Sequence, residues 1–417
     1  MLTDLWDATA AACGGKAAAL GTLLRAGLPV PDGFVVPFAV HCAGTGSAGS
    51  DALRAAVARH LARLGDPAVA VRSSADAEDR PDASAAGMYE SVLGARGTPA
   101  VVAAVRTCWA SLHSDRALEY RSSRAASPAS EPMAVLVQRM VDADASGVMF
   151  TPAHPGASTR VEASWGLGPS VVGGTVTPDT YEIAVDGSIR RTIGRKATRL
   201  DRGRDGTGPT ASEVPESQRT RPALDDATAR ALTALGHRIA TELDRPQDVE
   251  WALVDGGLWI LQARPITAQA PALPTGPVAG GTTTLFGAPG SHGTATGLAR
   301  VLHGPSDFGR VRPGDIVICP YTDPAWTALL RVAAGVVTET GGVLSHAAIV
   351  AREQGIPAVL GIPDVTTTIT DGALVLVDGT AGTVALSTPR PTTEGMSGGR
   401  SSSTELPFRQ PSSCSTN

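Results

Sequence analysis

The segment DVEWALVDGGLWILQAR carries side chains that could bind a metal ion and a phosphate. We predict two antiparallel strands joined by a three-residue loop, 255–257, because Asp-Gly-Gly is typical of hairpin turns. This pairing places Glu250 opposite Gln262. It also places Asp248 opposite Arg264 on the same face. A carboxylate and an amide oxygen suit Mg²⁺, and a guanidinium suits the phosphates that the metal would bridge.

The opposite face of this predicted hairpin is apolar. We expect that face to pack on a core, because strands with alternating polarity bury one side. Its members are Val249, Trp251, Leu253, Trp259 and Leu261. The alternation alone is also typical of a hairpin whose polar side is simply solvated.

Two further segments combine a basic side chain with small residues, a setting typical of phosphate binding. Arg72 lies in VRSSADAEDRPDASAAG at the end of a predicted strand, where a guanidinium and exposed N–H groups could cradle a phosphate. This loop does not match the Walker pattern. Lys16 follows Gly14-Gly15 at the start of a predicted helix and could also donate to a phosphate. Taken alone, such a lysine is more often exposed on the surface.

His346 lies in GGVLSHAAIVARE, where a helix is predicted over 345–353. The N-terminus of a helix offers free N–H groups and a positive dipole end. These favour a neutral, nucleophilic imidazole and would stabilise a phosphoryl group attached to it. His346 is therefore the candidate catalytic residue, although a single histidine is often an ordinary hydrogen-bonded side chain.

Composition restricts the class of protein. The chain has 417 residues, enough for two or three domains at about 150 residues each. Its net charge of −5 lacks the basic excess of nucleic-acid binding proteins, so no nucleic-acid partner is expected. No apolar run is long enough to span a bilayer and the N-terminus does not resemble a signal peptide, which predicts a cytoplasmic protein without a membrane partner. Its five scattered cysteines indicate neither a disulfide framework nor a zinc site.

Helical and strand patterns alternate along most of the chain and predict α/β domains. We predict a first domain over 1–267 and a Pro/Gly-rich linker over 268–284. A smaller α/β domain is predicted over 285–387. The remainder, 388–417, is rich in Ser, Thr, Pro and Gly and is expected to be disordered, because it has too few apolar residues to bury.

These segments resemble, in order, the phosphoenolpyruvate synthase and pyruvate phosphate dikinase family, of which rifampicin phosphotransferase is an antibiotic-modifying branch. The resemblance covers about residues 10–388. The segments that carry it are GGKAAALGTLLRAGLPVPDGFVV, AVRSSADAEDRPDASAAG, CWASLHSDRALEYR, MAVLVQRMVDADASGVMFT, SWGLGPSVVGGTVTPDTY, DVEWALVDGGLWILQARPIT, TDPAWTALL and VVTETGGVLSHAAIVAREQGIPAVLG.

The resemblance implies an ATP-grasp nucleotide-binding domain followed by a small, swivelling phosphohistidine domain, with ATP and Mg²⁺ as cofactors. The β-phosphoryl group of ATP would pass to His346, leaving AMP and phosphate. Other implied site residues are Lys16, Arg72 and Arg264 for the phosphates, Gln138 to Met140 beside the adenine, and Glu250 and Gln262 for Mg²⁺. Lys196 also falls on a lysine of the family, without an implied role.

Three positions depart from the family pattern. Pro169 stands where the motif G-L-G-E has a glutamate, Met88 where A-G-Q has a glutamine, and His154 where a D-P pair has an aspartate. The set implied to bind phosphate and metal is otherwise intact.

The resemblance includes no dedicated acceptor domain. The short stretch after the last matching segment cannot hold the TIM barrel of ~250 residues found in pyruvate-utilising members. The predicted linker is likewise too short for the inserted substrate domain of rifampicin phosphotransferase. We therefore expect the acceptor to bind in the cleft between the two domains or on a separate protein, and we do not expect this chain alone to make phosphoenolpyruvate.

The predicted function is an ATP-dependent, dikinase-type phosphotransferase that acts through phospho-His346 on a hydroxyl of a small molecule, such as a secondary metabolite. One alternative is a dehydratase or cyclase of natural-product biosynthesis. It would work through a phosphorylated hydroxyl, or with His346 as a general base and no ATP. Pro169 and the missing acceptor domain favour that alternative. A second alternative is a phosphocarrier subunit for a partner protein.

Overall fold

Five strands near the N-terminus form an antiparallel sheet in the order β1-β2-β5-β3-β4. They are β1 (Thr3–Asp4), β2 (Gly33–Val36), β3 (Val69–Ala75), β4 (Ser91–Ala95) and β5 (Met133–Arg139). The helices of this part are α1 (Ala10–Arg25), α2 (Phe38–Cys42), α3 (Ser47–Leu64) and α4 (Gly97–Ala110). Val57 of α3 and Val105 of α4 share one buried cluster with Val71 and Val135 of the sheet. Helix α1 belongs to a different cluster, so it covers the other face.

A computed structural model supplies this description, which covers residues 1–43, 47–75, 88–114, 117–118, 132–154, 156–203, 208–268, 271 and 284–386. Met1–Ser387 forms one compact unit. The predicted linker falls almost entirely, and the predicted tail over 388–417 entirely, outside the described residues. Within the described ranges, no helix is both long and apolar enough to cross a membrane.

The next strands form a six-stranded antiparallel sheet in the order β13-β12-β6-β7-β8-β9, and a separate two-stranded ribbon of β10 and β11. They are β6 (Ala145–Phe150), β7 (Thr159–Trp165), β8 (Asp179–Ile183), β9 (Ile189–Thr192), β10 (Thr198–Arg202), β11 (Pro209–Glu213), β12 (Gln247–Val254) and β13 (Gly257–Pro265). The helices here are α5 (Pro169–Val172), α6 (Glu216–Arg219) and α7 (Asp226–Glu242). The Asp225 side chain caps α7 by accepting the N–H of Thr228 at 2.8 Å. Leu232 and Ile239 of α7 are fully buried.

The last sheet has eight strands in the order β14-β21-β20-β16-β17-β18-β19-β15, with β16 to β19 parallel. The strands are β14 (Thr284–Phe286), β15 (Ala288–Ser291), β16 (Thr294–Val301), β17 (Ile316–Cys319), β18 (Gly335–Thr338), β19 (Ala358–Leu360), β20 (Leu374–Asp378) and β21 (Thr383–Leu386). The helices are α8 (Thr327–Leu330), α9 (His346–Gln354) and α10 (Val365–Thr368). Short 3₁₀ helices occur at Leu5–Asp7, Ser111–His113, Pro305–Arg310 and Pro324–Trp326. The mixed helices and sheets confirm the predicted α/β class.

The β12–β13 hairpin has the predicted polar pairs but a shorter turn than predicted. Glu250 lies opposite Gln262, and Asp248 lies opposite Arg264. The turn is the two-residue segment 255–256, with φ values of 48° and 75°, rather than a three-residue loop. Positive φ at both positions is what a type I′ turn requires, and its twist matches that of antiparallel strands.

A β-bulge explains why the pairs are correct although the predicted turn is wrong. The register shifts between Glu250 and Trp251, where Leu261 is the extra residue. One residue fewer in the turn is therefore compensated by one more in the strand. Between the bulge and the turn the alternation inverts, so Ile260 lies in the core with Trp251. Trp259 and Leu261, predicted for the core face, pack in a separate apolar cluster instead.

A buried ion pair joins Lys196 to Asp179 at the start of β8 in the second sheet. Both side chains are fully buried. Lys196 also donates to the Gly194 carbonyl at 3.1 Å, while Asp179 accepts the N–H groups of Gly194 at 2.9 Å and Ala223 at 2.7 Å. Burial raises the pKa of the Asp179 carboxyl, and the hydrogen bond from Lys196 opposes that rise. Lys196 therefore has a structural position, joining β8 to the segments before β10 and α7.

Replacing Lys196 by methionine should lower the free energy of unfolding by about 3–5 kcal/mol, because Asp179 would stay buried without its charge partner. Urea denaturation followed by circular dichroism measures the loss. Arg190→Met, which removes an exposed arginine paired with Glu182, is the control and should cost about 1 kcal/mol or less. Equal losses in the two variants would contradict the assignment.

Candidate active site

One face of the six-stranded sheet carries three of the predicted site residues, Glu250, Gln262 and Arg264. Residues directly opposed on antiparallel strands share a face. One row across β13, β12, β6 and β7 is Gln262, Glu250, Val148 and Glu162. The adjoining row on the same face is Arg264, Asp248, Phe150 and Arg160. Adjacent strands lie ~4.8 Å apart, which puts the backbones of Glu250 and Glu162 about 10 Å from each other.

Glu250 also faces a cleft that includes residues of the first sheet. The Arg72 Nη1 donates to the Glu250 Oε2 at 3.2 Å, and this ion pair joins β3 to β12. The cleft opens to solvent. Its apolar wall includes Leu93, Leu167 and Val172. An apolar wall beside one guanidinium and one carboxylate fits a base together with its phosphates and their metal.

The metal would need ligands from the nucleotide as well. Among the described residues, no three His, Cys, Asp or Glu side chains lie close enough together to hold a metal ion. Glu250 and Gln262 supply one carboxylate and one amide oxygen from adjacent strands. Mg²⁺ is typically held by one or two carboxylates plus substrate phosphates, so this donor set fits Mg²⁺ bound with ATP.

Gln138 to Met140, the residues that the resemblance implies lie beside the adenine, line the cleft. The Gln138 side chain is buried, and its Nε2 donates to the Pro31 carbonyl at 3.2 Å. Its amide is thus engaged within the protein. Met140 packs in an apolar cluster with Leu167 and Leu261, which provides the kind of surface on which a planar base can rest.

Lys16 lies in a distorted part of α1. Gly14 interrupts the helix with φ 79° and ψ 165°. The Ser74 hydroxyl bridges this kink by donating to the Cys13 carbonyl at 2.7 Å and accepting the Ala17 N–H at 3.2 Å. Lys16 is only 7% exposed, so the alternative of an exposed surface lysine is wrong. Its contact with phosphate remains a prediction.

His346 is the first residue of α9, one residue later than the predicted start of the helix. β17 and β18 are parallel neighbours, and the loops that follow them meet at the same edge of the sheet. The loop after β17 places the Thr322 hydroxyl 2.9 Å from the His346 Nδ1. The Thr327 hydroxyl lies 3.5 Å from the Nε2. Both ring nitrogens therefore face a hydroxyl.

The imidazole of His346 is neutral at pH 7. Burial, together with the nearby positive charge of Arg264, lowers the pKa of His346 to about 4. A neutral imidazole was predicted from the sequence on the basis of the helix dipole. Burial is instead the main cause of the lowered pKa. Arg264 itself is paired with Asp248 at 2.7 Å, on the sheet face described above.

The loop before His346 contacts the part of the chain that holds the cleft. Hydrogen bonds cross between them. The Thr340 Oγ1 donates to the Gly174 carbonyl at 2.6 Å, and the Gly341 N–H donates to the Val176 carbonyl at 3.1 Å. The Leu344 N–H donates to the Glu162 Oε2 at 3.2 Å. An apolar cluster accompanies them, made of Val148, Phe150, Val171, Val176, Val343 and Leu344. Since Val172 of α5 also lines the cleft, one short helix connects the cleft to this contact.

Sequence reasoning missed several residues around His346. Thr322 and Thr327 stand in the matched segment TDPAWTALL, whose two hydroxyls could have been recognised as partners for a histidine. Glu162 is a carboxylate in a strand buried along nearly its whole length, an anomaly that could have marked it. Arg352, on the same helix as His346, donates to the Val343 carbonyl at 2.8 Å, and burial lowers its pKa to about 10.

The three departures from the family pattern have different surroundings. Pro169 begins α5 and lines the cleft, where its missing N–H costs nothing because the first turn of a helix has no partner for it. Met88 is buried in the cluster beneath α3 and α4. The loop 76–87 before it, predicted to cradle a phosphate, lies outside the described residues. His154 is exposed between β6 and β7.

Two protein-family models match parts of this chain. A model of the pyruvate phosphate dikinase AMP/ATP-binding domain matches residues 47–275, more than half of the chain. The chain belongs to this family. A model of the mobile domain of PEP-utilising enzymes matches residues 311–382, which contain His346. The resemblance stated from the motifs is confirmed, and the predicted cofactors ATP and Mg²⁺ agree with the family.

The relatives of this pyruvate phosphate dikinase family member are longer proteins. A probable phosphoenolpyruvate synthase of Methanothermobacter thermautotrophicus is 35% identical over 89% of this chain and 61% of that protein. A probable phosphoenolpyruvate synthase of Archaeoglobus fulgidus is 37% identical over 89% of this chain and 56% of that protein. The phosphoenolpyruvate synthase of Escherichia coli is 36% identical over 78% of this chain and 44% of that protein. The chain thus spans about half of the length of these curated relatives.

The His346 imidazole should stay unprotonated well below pH 6, since burial lowers its pKa to about 4. Protonation would then be linked to loss of folding stability as the pH falls from the ordinary histidine range toward 4. NMR titration of ¹⁵N-labelled imidazoles measures this, with His346→Gln identifying the resonance. Protonation of His346 near pH 6.5 would show that it is not buried as described.

Proposed function

We propose that this chain is an ATP-dependent, dikinase-type phosphotransferase that passes the β-phosphoryl group of ATP through His346 to a hydroxyl of a small molecule. One observation carries the proposal. The sheet row that holds Glu250 and Gln262 also holds Glu162, which binds the loop two residues before His346. The loop that precedes the candidate phosphohistidine therefore contacts the sheet face that carries the candidate metal ligands.

The nucleotide would occupy the cleft beside Arg72 and Glu250. Its base would rest on the apolar wall along Gln138 to Met140, and Lys16, Arg72 and Arg264 would neutralise phosphate oxygens. Mg²⁺ would be held by Glu250 and Gln262 and would offset the charge that spreads over the phosphates during transfer. The Arg72–Glu250 ion pair supports this arrangement, because it holds a phosphate-binding group and a metal-binding group 3.2 Å apart.

His346 would be the first acceptor. Transfer would form a bond between an imidazole nitrogen and the β-phosphorus of ATP and break the bond from that phosphorus to the α–β bridging oxygen, which leaves on AMP. Hydrolysis of the β–γ linkage by one water would then release orthophosphate and leave phosphohistidine. Thr322 lies closer to Nδ1 than Thr327 does to Nε2. An Nδ1–H donated to Thr322 would leave the lone pair of Nε2 free to attack, with Thr327 beside it.

The acceptor of the second transfer is proposed only by its chemical class. The relatives are named for phosphoenolpyruvate synthesis, and none of these names points to the secondary metabolite that we expected. We therefore keep the acceptor as a hydroxyl oxygen of a small molecule, bound by this chain or by a partner protein. Use of His346 as a general base is disfavoured, because a group with a pKa of about 4 is a weak base at pH 7.

Mg²⁺-ATP should bind the chain and raise its thermal stability, by about 2.7 kcal/mol at a hundredfold excess over Kd. Glu250→Ala should abolish most of the shift, since it removes both the metal ligand and the partner of Arg72. Differential scanning fluorimetry and titration calorimetry measure the two effects. Glu213→Ala, at a largely exposed glutamate, should leave the shift unchanged. No binding of millimolar nucleotide to the wild type would rule out the proposed ATP site.

ATP labelled at the β-phosphorus should transfer acid-labile label to the protein. His346→Ala and His346→Gln should remove it without weakening ATP binding, because neither side chain can accept a phosphoryl group. His292→Gln should remain labelled, and ATP labelled at the γ-phosphorus should leave no label. Dehydrated product formed without AMP release, together with an inactive His346→Ala, would instead favour the dehydratase.

A further inference from the structure

Glu162 is a buried carboxylate that contacts the histidine loop from another sheet. It lies in β7 with no exposed surface, and its Oε2 accepts the Leu344 N–H at 3.2 Å. Leu344 is two residues before His346 and belongs to the last sheet's part of the chain. A carboxylate is a strong acceptor for a backbone N–H, so this bond holds the loop more firmly than a neutral acceptor would.

Gly342 shows how closely the carboxylate and the loop approach each other. A Cβ atom at this position would lie 2.5 Å from the carboxyl carbon of Glu162, a distance that real Cβ atoms do not show. The φ of Gly342 is not in the left-handed region, so its own backbone would accept a side chain. Space beside Glu162, rather than backbone conformation, therefore excludes larger residues at position 342.

Charged groups from the six-stranded sheet and from the histidine helix α9 lie near Glu162. Burial raises the pKa of its carboxyl to about 7, opposed by the N–H groups of Leu344 and Val343 and by the charges of Arg160 and Arg352. Arg160 comes from the same strand, whereas Arg352 comes from the histidine helix α9. Glu162 thus interacts with the loop before His346 and with the helix that begins at it.

The other contacts of this loop are less specific. Thr340 and Gly341 bond to backbone carbonyls after α5, and the rest of the contact is apolar. Apolar contacts permit sliding, whereas a charge-assisted hydrogen bond has a defined direction and length. Among the hydrogen bonds to this loop described above, that of Glu162 uses a side-chain acceptor and lies nearest in sequence to His346.

We propose that Glu162 is a positioning residue for the first phosphoryl transfer: it holds the loop 342–344 against the six-stranded sheet and so presents His346 to the nucleotide cleft. This inference rests on the proposed function for its catalytic consequence. The contact itself can be measured without any reaction, so the two can fail separately.

Hydrogen exchange of the peptide containing Gly341 and Leu344 reports the contact directly, because both N–H groups are donated across it. Glu162→Ala should speed exchange of this peptide about tenfold or more, as expected when a buried hydrogen bond is lost. Glu162→Gln keeps an oxygen of the same reach and should retain much of the protection. The matched control is Glu182→Gln on β8, which also lies beside Arg160 but forms no hydrogen bond to the loop.

Gly342→Ala perturbs the same contact from the loop side. It keeps Glu162 in place, so it provides a second test if the Glu162→Ala protein does not fold. Its added methyl group should clash with the Glu162 carboxylate and speed exchange as much as Glu162→Ala does. In the Glu162→Ala background the space is open, so Gly342→Ala should add little further change. Additive effects of the two substitutions would contradict a shared contact.

Loss of the Glu162 side chain should slow phosphoryl transfer to His346 without weakening the binding of Mg²⁺-ATP. Glu162→Ala should slow labelling of His346 by β-labelled ATP about tenfold or more at saturating nucleotide, with the Kd for Mg²⁺-ATP unchanged. Unchanged loop exchange in Glu162→Ala would overturn the inference whatever the labelling shows. Faster exchange with normal labelling would also overturn it. If the wild type is never labelled, the proposed function fails, and the exchange data alone decide whether Glu162 holds the loop.

Discussion

Antiparallel pairing of β6, β7, β12 and β13 decides which distant residues of this chain meet. Arg160, Glu162, Asp248 and Glu250 are up to ninety positions apart in sequence, yet the register puts them on one face in two adjoining rows. A shift of one residue in any of these strands would turn its charged side chains to the other face, into the core. The candidate site therefore depends on the register before it depends on any single side chain.

Burial of that face sets the titration behaviour of its groups. Exclusion of water raises the pKa of Glu162 to about 7 and raises that of Asp248, while it lowers the pKa of His346 to about 4 and that of Arg352 to about 10. Each shift disfavours the charged form, as desolvation always does. In such a region the remaining charges act over a low effective dielectric, so a phosphate would interact strongly with each of them.

The sequence predicted those parts of the site that depend on local pattern or on motif. Strand alternation predicted the Glu250–Gln262 and Asp248–Arg264 pairs, and the glycine pair before His346 predicted the start of its helix. The bulge at Leu261 could not be predicted, because a shorter turn with a bulge and a longer turn without one give the same polar pairs. This ambiguity produced the wrong face for Trp259.

Long-range contacts were the other limit of sequence reasoning. No local pattern indicates that Thr322 faces the imidazole of His346, since their proximity follows from the parallel pairing of β17 with β18. The partner of Lys196 was equally hidden, because Asp179 lies on another segment and the pair is formed only when both are buried. The roles of Lys16, Arg72, Glu250, Gln262 and Arg264 toward phosphate and metal stay predictions.

The composition of the sheet face beneath the histidine loop has a consequence for solubility. An interface that must open and close cannot consist only of hydrocarbon, because each opening would expose a patch prone to aggregation. Here the apolar part is a small cluster around Val148 and Val343, and the neighbouring positions are carboxylates and guanidinium groups. If the surfaces were to part, water could hydrate those charges, so the exposed sheet face would keep a polar surface.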